Sequence, residues 1–268
     1  MTNNNKIRVA INGAAGRMGR RLVALAAETP ELELVAALES PGNSQLGADA
    51  GELAGLGRLG VKLTEKLPPA GADVLIDFSL PAGTLARLAE CSAAGVAMVI
   101  GTTGLDRAAE ETIAAAARKI AIVKAPNMSV GVNVLLKTAA QVAKALGPDY
   151  DVEIVESHHR FKQDAPSGTA LALARAIAAA TGRDLAADAC YGREGTSPRR
   201  PGEIGIHAVR AGDIVGEHHV YLAALGERIE LGHVATTRDT FARGALRAAI
   251  WLAGRPAGLY SMTDVLGL

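Results

Sequence analysis

The stretch "KIRVAINGAAGRMGRRLVALAAETPELELVAALES", residues 6–40, decides the fold of this chain. Its first residues form a β-branched run bounded by glycine, which predicts a strand. In the segment that follows, apolar residues such as Leu22 and Leu25 recur at helical spacing. The run "LELVAAL" predicts a second strand that leads to Glu39. The stretch is therefore a strand, a glycine turn, a helix, a strand and an acid, in that order.

The turn between the first strand and the helix carries Gly13, Gly16 and Gly19. Gly13 suits a tight turn, Gly16 leaves space for a pyrophosphate, and the helix start offers N–H groups to that anion. Arg17 adds a cation beside the phosphates, and Glu39 stands where a carboxylate accepts hydrogen bonds from a ribose diol. The spacing G-x-x-G-x-x-G also fits a turn that only packs a helix against a strand. The strands, helix and acid around it favour a dinucleotide site.

Strands and helices continue to alternate through the first half of the chain. The runs "GADVLIDFS", "VAMVIGTTG" and "IAIVKAPN" predict buried strands, and two helical segments separate them. This order indicates a parallel sheet with helices on both faces, in which ligands bind beyond the carboxyl ends of the strands. We therefore expect three segments to face one cleft: Gly13 to Gly19, Gly101 to Thr103, and Ala125 to Met128. The glycine-rich segment 40–63 is predicted to be a surface loop.

The second half of the chain has a different strand pattern. The helix "SVGVNVLLKTAAQVAKALG" leads to the strand "YDVEIVESHH" and the helix "SGTALALARAIAAATG". Three runs then alternate apolar and polar residues between glycines, namely "GEIGIHAVRAG", "GEHHVYLAALG" and "ERIELGHVATT". This alternation predicts antiparallel strands.

Together these patterns predict an α/β protein with an N-terminal Rossmann-type doubly wound parallel sheet and a second α+β domain with an open mixed sheet. Residues 1–129 are assigned to a dinucleotide-binding domain. Residues 130–239 are assigned to a substrate-binding and oligomerisation domain, because an open sheet with one apolar face invites self-association. The C-terminal segment 240–268 is predicted to be a helix that packs back on the first domain.

The segment "ESHHRFKQDAPSGTALALARAIAAA", residues 156–180, gathers polar groups at a helix start. Ser167 is a preferred N-cap residue, and the backbone N–H groups of Gly168 and Thr169 then point out of the helix as donors. The absence of a side chain at Gly168 leaves space for a carboxylate. Lys162 is a cation that pairs with the same anion or donates a proton. The segment therefore predicts an anion pocket, with a polar loop before a surface helix as the alternative.

His158 and His159 stand at the end of the preceding strand. Successive side chains on a strand point to opposite sides, so only one of the two is well placed unless the strand ends there. Imidazole exchanges protons near neutral pH, which suits an acid/base role. His218 and His219 form a second pair, but no carboxylate or thiolate spacing supports a metal site, and none is predicted.

Composition and charge exclude several classes of protein. The 28 basic and 28 acidic residues balance, which argues against a nucleic-acid partner held by a basic field. No apolar run reaches the roughly 18 residues of a membrane span, and the N-terminus lacks the apolar core of a signal peptide, so no membrane partner is expected. Cys91 and Cys190 match no metal or redox spacing, which is typical of a cytoplasmic protein.

Five segments carry a resemblance to a known family: "VAINGAAGRMG", "VIGTTG", "NMSVGVNVLLK", "EIVESHHRFKQDAPSGTA" and "VRAGDIVGEH". They resemble the 4-hydroxy-tetrahydrodipicolinate reductases, also called dihydrodipicolinate reductases, from about Lys6 to the C-terminus. The pattern H-H-x-x-K-x-D-A-P-S-G-T is the specific part of the resemblance, since a glycine fingerprint alone is shared by many nucleotide-binding proteins.

The resemblance implies an NAD(P)H-dependent enzyme of the diaminopimelate route to lysine, which reduces the cyclic product of dihydrodipicolinate synthase. It implies that His158 is the catalytic acid/base and that Lys162 is the proton donor. It implies a homotetramer whose second-domain sheets meet, and a small ring dicarboxylate as substrate. The residues implied to bind this substrate are His159, Ser167, Gly168, Thr169 and Arg238. The residues implied to line the cofactor are Gly13, Ala14, Ala15, Gly16, Arg17, Met18, Glu39, Gly101, Thr102, Thr103, Ala125, Pro126, Asn127 and Met128.

One position departs from the pattern of many relatives, which place a basic residue directly after the ribose-binding acid. Here Ser40 and Pro41 follow Glu39. Glu39 repels a 2′-phosphate and Ser40 offers no full charge in return, so we expect NADH to be preferred over NADPH, with Arg17 permitting some use of NADPH.

Two other functions stay open. Another two-domain nicotinamide dehydrogenase would share the glycine turn but would not need the histidine–lysine segment. A nucleotide-sensing regulator on the same fold would normally add a helix-turn-helix or a basic face, which the sequence lacks.

Overall fold

The computed structural model describes residues 6–68 and 71–268. The described residues form two compact units. The first unit contains the chain up to Ser129 together with Asp239–Gly267, and the second contains Val130–Arg238.

The first unit begins with alternating strands and helices. In chain order these are β1 (Ile7–Asn12), α1 (Arg17–Glu28), β2 (Leu32–Leu38), α2 (Ala50–Leu53), β3 (Leu63–Thr64), β4 (Val74–Asp77), α3 (Pro81–Ala94), β5 (Ala97–Ile100), α4 (Arg107–Ala116) and β6 (Ala121–Lys124). Helix α1 buries one face, which includes Leu22 and Leu25, and it ends just before Pro30, a residue that cannot continue a helix.

The second unit follows without a break. Its elements are α5 (Val130–Leu146), β7 (Asp151–His158), α6 (Gly168–Thr181), α7 (Leu185–Asp188), β8 (Ala189–Tyr191), β9 (Ile204–Arg210), β10 (Gly216–Ala224) and β11 (Glu227–Ala235). The chain then returns to the first unit with α8 (Asp239–Leu252), β12 (Gly258–Tyr260) and α9 (Met262–Leu266).

Seven parallel strands form the sheet of the first unit, in the spatial order β12-β6-β5-β4-β1-β2-β3. From β3 to β6 this is the order of dinucleotide-binding folds, which reverses between β1 and β4. On one face, sheet residues such as Leu75 and Met98 share a core with Leu88 of α3 and Ile113 of α4. Helices α1 and α8 pack together, and α8 contacts β4, β5 and β6. The doubly wound parallel sheet is therefore confirmed.

The sheet of the second unit is mixed, in the order β11-β10-β7-β9-β8. Strand β10 runs antiparallel to β7 and β11, whereas β9 runs parallel to β7 and β8. Residues of α5 and α6, including Ala139 and Leu173, share one core with Ile154 and Val220 of the sheet. The open mixed sheet is confirmed, but the prediction that β9 is antiparallel was wrong. The chain crosses over through α6 between β7 and β9, and such a connection makes two strands parallel.

Two further expectations need correction. The C-terminal segment 240–268 is not one helix. Helix α8 ends at Leu252, Gly254 adopts a left-handed conformation at φ +75°, and β12 then adds a parallel strand beside β6.

The segment 40–63 is not only a loop. Its Asp49 carboxylate accepts hydrogen bonds from backbone N–H groups of four residues and so organises α2 and the turn that follows it.

Among the described residues, every helix is too short or too polar to cross a bilayer.

Candidate active site

The glycine turn of the first unit has the geometry that its sequence predicts. Gly13 is left-handed at φ +77°, and a Cβ there would lie 2.6 Å from the carbonyl oxygen of Phe78. A Cβ at Gly19 would lie 2.0 Å from the carbonyl oxygen of Gly13. Gly16 is the N-cap of α1 and has no capping side chain, so the start of the helix is open to an anion.

Glu39 follows the last residue of β2 and is buried. Its carboxylate accepts a hydrogen bond from the N–H of Ala15 at 3.0 Å and another from the N–H of Ser40 at 3.1 Å. The side chain therefore connects the end of β2 to the glycine turn. Each carboxylate oxygen keeps a further lone pair that can accept from a ribose hydroxyl.

A cavity of about 510 Å³ lies at the carboxyl edge of this sheet, where the strand order reverses between β1 and β4. Three of its lining residues belong to the predicted cofactor set, namely Gly13, Gly16 and Glu39. Open sheets of this type bind their ligands at this position. The donor set fits a dinucleotide, because it offers backbone N–H groups for a pyrophosphate and a carboxylate for a ribose.

The carboxylate of Asp77, fully buried at the end of β4, organises the loops around this cavity. It accepts hydrogen bonds from Asn12 Nδ2 at 2.7 Å, Ser79 Oγ at 2.6 Å, Thr84 Oγ1 at 2.6 Å and Thr102 Oγ1 at 2.8 Å. These four donors come from β1, the loop after β4, α3 and the loop after β5. One buried group thus fixes the relative positions of several cavity-forming segments.

Arg87 of α3 is a buried cation that lines the same cavity. Its five N–H groups are matched by five acceptors, which are Asn12 Oδ1, both carboxylate oxygens of Glu90, and the carbonyl oxygens of Glu39 and Glu65. The guanidinium is therefore engaged in holding the cavity wall.

The other predicted cofactor segments lie at the same edge of the sheet, since they follow β5 and β6. Thr102 Oγ1 accepts a hydrogen bond from the N–H of Ser79 at 3.0 Å, which links the β5 loop to the cavity wall. Neither residues 101–103 nor residues 125–128 are among the residues that line the cavity in the described part of the chain. In the glycine turn, Ala14 is buried, Ala15 and Met18 are half-buried, and Arg17 is exposed.

In the second unit, the structure places His158 at the end of β7 beside Glu156. His158 Nδ1 lies 2.5 Å from Glu156 Oε2, because residues two apart on a strand point to the same side. Glu156 is fully buried and also accepts two hydrogen bonds from Arg210, both at 2.8 Å, and one from the N–H of Ser167 at 2.9 Å. Burial alone would raise the pKa of Glu156, but the hydrogen bonds from His158, Arg210 and Ser167 outweigh it and hold the pKa at about 2.

Ser167 is the N-cap of α6, as predicted, and its Oγ accepts from the N–H of Ala170 at 3.1 Å. The same Oγ lies 3.2 Å from His218 Nε2, so this hydroxyl is engaged inside the unit. Gly168 is exposed, and a Cβ there would meet no protein atom within 4 Å. The first turn of α6 therefore opens into space beside the Glu156–His158 pair.

His218 is a neutral, buried neighbour of His158. The two rings meet edge to face with centroids 5.3 Å apart, and the ring of His233 lies 6.5 Å from that of His218. Burial lowers the pKa of His218 to about 3, the nearby charges of His158, His233 and Lys162 also lower it, and Glu156 partly opposes them.

Among the described residues, the partners that hydrogen-bond to the Glu156–His158 pair do not include the predicted proton donor Lys162 or the predicted substrate residues His159 and Arg238. Lys162 Nζ pairs with both oxygens of Asp164, at 2.7 and 2.8 Å. The ring centroid of His159 lies 6.3 Å from that of the exposed Phe161. Within the described part of the chain, the exposed Arg238 has no hydrogen bond to the Glu156–His158 pair. The structure thus brings together His158, Ser167 and the start of α6, and does not join Arg238 to them.

Sequence reasoning missed several residues that shape these sites. Asn12, Ser79 and Arg87 line the cavity, Glu156 is hydrogen-bonded to His158, and Arg210 is hydrogen-bonded to Glu156. A signal existed for some of them. Ser79 follows a buried strand next to β1, and Glu156 stands two residues before His158, on the same side of a predicted strand.

No group of three or more histidine, cysteine or acidic side chains that could hold a metal ion occurs in residues 6–68 and 71–268.

Comparison with known proteins identifies the family. The family model "Dihydrodipicolinate reductase, N-terminus" matches residues 7–128, and "Dihydrodipicolinate reductase, C-terminus" matches residues 131–266. The chain is 56% identical to a 4-hydroxy-tetrahydrodipicolinate reductase from Alkalilimnicola ehrlichii, over 97% of this chain and 99% of that protein. It is 54% identical to the enzyme of the same name from Thiobacillus denitrificans, over 98% of this chain and 99% of that protein.

A solved structure supports the same assignment. Dipicolinate-bound dihydrodipicolinate reductase from Paenisporosarcina sp. TG-14 superposes with a TM-score of 0.75 at 25% identity, over 97% of this chain and 98% of that chain. The two family models cover both halves of the sequence, and the relatives match almost its whole length. This chain therefore belongs to the dihydrodipicolinate reductase family.

Proposed function

We propose that the protein reduces 4-hydroxy-tetrahydrodipicolinate to tetrahydrodipicolinate with a reduced nicotinamide dinucleotide, in the diaminopimelate route of lysine biosynthesis. The observation that carries this proposal is the hydrogen-bonded pair of the buried Glu156 and the half-buried His158, beside the open start of α6. It provides a proton-exchanging group next to donors for a carboxylate. The identity of 54–56% to relatives that bear the name of this activity supports it.

The dinucleotide is assigned to the cavity of the first unit. The open N-terminus of α1 receives the pyrophosphate, and Glu39 receives the ribose hydroxyls. The loops after β5 and β6, residues 101–103 and 125–128, are assigned to the nicotinamide half because they continue along the same edge of the sheet. A bound dinucleotide supplies the hydride, and the protein orients it and excludes competing reactions.

The substrate is a small ring that carries two carboxylates, so it needs several anion donors. We assign one carboxylate to the first turn of α6, with Gly168 and Thr169 as donors, and place His159 beside it. Dipicolinate, bound in the Paenisporosarcina enzyme, is a ring of this class. The assignment of Arg238 to the substrate rests on the sequence resemblance alone.

Loss of the 4-hydroxyl group as water gives a conjugated C=N system in the ring. Hydride transfer to this system leaves negative charge on the ring, which a proton from an acid neutralises. We assign this proton transfer to His158 as acid/base, with Lys162 as a second donor. The Asp164 carboxylate pairs with Lys162 and so holds its ammonium group within the segment between β7 and α6.

The cofactor preference is assigned to NADH. Glu39 places a negative charge where NADPH carries its 2′-phosphate, and the adjacent Ser40 offers no cation. Arg87 does not compensate, because its five N–H groups already have acceptors. The exposed Arg17 at the start of α1 permits some use of NADPH.

We also propose a homotetramer formed through the second unit and a cytoplasmic location. The face of the mixed sheet that α5 and α6 leave uncovered exposes Val209 and Val234, which favours self-association. Light scattering coupled to gel filtration tests the tetramer. Both cysteines, Cys91 and Cys190, carry free thiols, as expected in a reducing compartment.

A coupled assay tests the activity. Dihydrodipicolinate synthase, pyruvate and aspartate semialdehyde generate the substrate, and oxidation of NADH and NADPH is followed side by side. We expect turnover with both dinucleotides and a higher kcat/KM for NADH. Reduction of NAD+ or NADP+ by amino acids or semialdehydes, without oxidation of NADH or NADPH by the synthase product, would instead support another nicotinamide dehydrogenase.

The matched variants are His158→Gln and His207→Gln. His207 is also hydrogen-bonded to a glutamate of β7, but to Glu153 on the opposite face of the sheet. His158→Gln is expected to lower kcat by about a hundredfold or more, while His207→Gln leaves kcat near that of the wild type.

A further inference from the structure

The geometry points to Glu156 as a positioning residue that fixes the tautomer of His158 and ties it to the start of α6. The inference rests on the proposed function, because it gives Glu156 a task in the proton transfer assigned to His158. Glu156 does not contact the substrate in this proposal and acts only through its neighbours.

Glu156 contacts residues from three different elements of the second unit. Its fully buried carboxylate accepts four hydrogen bonds from three other residues. His158 lies on the same strand, Arg210 ends β9, and Ser167 is the N-cap of α6. One side chain therefore joins the proposed proton donor to the proposed carboxylate site.

The contact with Glu156 also determines the tautomer of His158. An ionised carboxylate only accepts hydrogen bonds, so the 2.5 Å contact with Glu156 requires a proton on Nδ1. In the neutral ring the lone pair is then on Nε2, which becomes the atom that exchanges protons with the substrate. Gly216 faces this atom, since a Cβ there would lie 3.1 Å from His158 Nε2. The absence of a side chain at Gly216 leaves Nε2 uncrowded.

Arg210 both neutralises Glu156 and contacts the loop between β7 and α6. Its guanidinium donates to both oxygens of Glu156 and also to the carbonyl oxygen of Asp164, at 2.6 Å. Removing the charge of Glu156 would leave the half-buried Arg210 without its partner carboxylate. The loop that carries Lys162 therefore depends on the same group.

Glu153 provides a comparison within the same strand. It lies three residues earlier, on the opposite face of β7, and also pairs with a histidine and two arginines: His207, Arg193 and Arg199. None of these contacts reaches α6 or His158. The variants Glu156→Gln and Glu153→Gln therefore remove the same charge from similar ion-pair networks, but only the first affects the proposed site.

The experiment combines steady-state kinetics with NMR of ¹⁵N-labelled histidine side chains. We expect Glu156→Gln to lower kcat by about tenfold to a hundredfold while the KM for NADH changes by less than about twofold. The wild type should show a strongly downfield Nδ1 proton that disappears in His158→Gln and in Glu156→Gln. Glu153→Gln should keep both kcat and this signal. The Nδ1 assignment separates it from the His207 contact, which uses Nε2.

A second variant, Glu156→Asp, distinguishes loss of the contact with His158 from a failure of the protein to fold. It keeps the charge that neutralises Arg210, but its side chain is one methylene too short to hold His158 and Ser167 together. It should fold, as judged by circular dichroism, yet lose the Nδ1 signal and much of kcat. Wild-type kcat in Glu156→Asp, or a persistent Nδ1 signal in Glu156→Gln, would overturn the inference. Failure of the wild type to reduce the synthase product defeats the proposed function alone, because the NMR signal still reports the Glu156 contact.

Discussion

At the residue scale, Ser40 is the position to which we assign the preference between the two nicotinamide dinucleotides. It is exposed, lines the cavity of the first unit and follows Glu39 directly. Ser40→Arg would place a guanidinium where a 2′-phosphate needs a donor, and arginine pairs with phosphate through two parallel hydrogen bonds. We expect kcat/KM for NADPH to rise by about tenfold, equivalent to about 1.4 kcal/mol, with a smaller change for NADH.

The control for this substitution is Ser44→Arg. Ser44 is also exposed and lies in the same segment, but it does not line the cavity. The variant adds the same charge and should leave the ratio of the two kcat/KM values unchanged. An equal gain with NADPH in Ser44→Arg would attribute the effect to net charge rather than to a contact at the ribose.

The buried residue His218 leads to a second prediction, which concerns how the free energy of unfolding depends on pH. Its pKa is about 3 in the folded protein, mainly through burial, against 6.5 for an unperturbed histidine. Below about pH 6.5 this histidine binds a proton in the unfolded chain, whereas in the folded protein it stays neutral down to about pH 3. The free energy of unfolding therefore decreases as the pH falls from about 6.5 to about 3. Between about pH 7.5 and pH 5 this amounts to about 2 kcal/mol of unfolding free energy.

Urea unfolding of the wild type and of His218→Gln at these two pH values measures this contribution. The glutamine variant lacks the titrating ring, so its free energy of unfolding should fall by about 2 kcal/mol less than that of the wild type. Glu156 adds little in this range, because its pKa of about 2 places its effect below the ordinary glutamate pKa of 4.5. Equal losses in the two proteins would show that His218 does not cause the pH dependence.

At the scale of elements, helix α1 packs closely against the glycine turn at Gly19, and this close packing sets the position of the helix start. Gly19→Ala would place a methyl group 2.0 Å from the carbonyl oxygen of Gly13 and 2.6 Å from Ala14 Cα. These are backbone atoms, so the helix itself must shift. We expect a loss of about 1–3 kcal/mol in unfolding free energy and weaker NADH binding, measured by denaturation and by fluorescence titration.

The matched control is Ala27→Ser on the exposed face of the same helix. It also adds one heavy atom but meets solvent, and should cost only a few tenths of a kcal/mol. If Gly19→Ala bound NADH as tightly as Ala27→Ser does, the close approach would not matter for the cofactor site.

The elements differ in how far the sequence could predict them. β1 and β2 were predicted because each is a short run of mostly apolar residues, and α1 because its apolar residues recur at helical spacing; the structure confirms all three. The strands β8 and β12 have three residues each and are too short for an alternation of apolar and polar residues to be recognised. The predicted direction of β9 was wrong because the alternation of apolar and polar residues shows which face of a strand is buried. It contains no information on whether the neighbouring strand is parallel or antiparallel.

In the two candidate sites, too, the sequence could predict only those groups of residues that lie close together along the chain. The glycine turn and Glu39 form a local pattern, so their sequence spacing could be interpreted. Asn12 meets Asp77 across 65 positions and Arg87 across 75, and Glu156 meets Arg210 across 54. Pairs this distant leave no local signature, so only the folded chain reveals which side chains hold the proposed site residues in place.

At the scale of the whole molecule, the two units carry different natural probes. The single tryptophan, Trp251, lies in α8 of the first unit and packs edge to face on Tyr260 with ring centroids 5.2 Å apart. All six histidines lie between residues 158 and 233, in the second unit. Tryptophan fluorescence therefore reports the first unit, and histidine NMR signals report the second.

Each unit has its own buried core, so a ligand of one unit should stabilise that unit first. NADH is assigned to the cavity of the first unit, and at a hundred times its Kd it should add about 2.7 kcal/mol to that unit. In urea, we expect NADH to move the Trp251 transition to higher denaturant while the histidine signals shift less. Free nicotinamide, which lacks the pyrophosphate and ribose groups, should move neither. Equal shifts of both probes would show that the units unfold together, and a shift of the histidine signals alone would place the dinucleotide in the second unit.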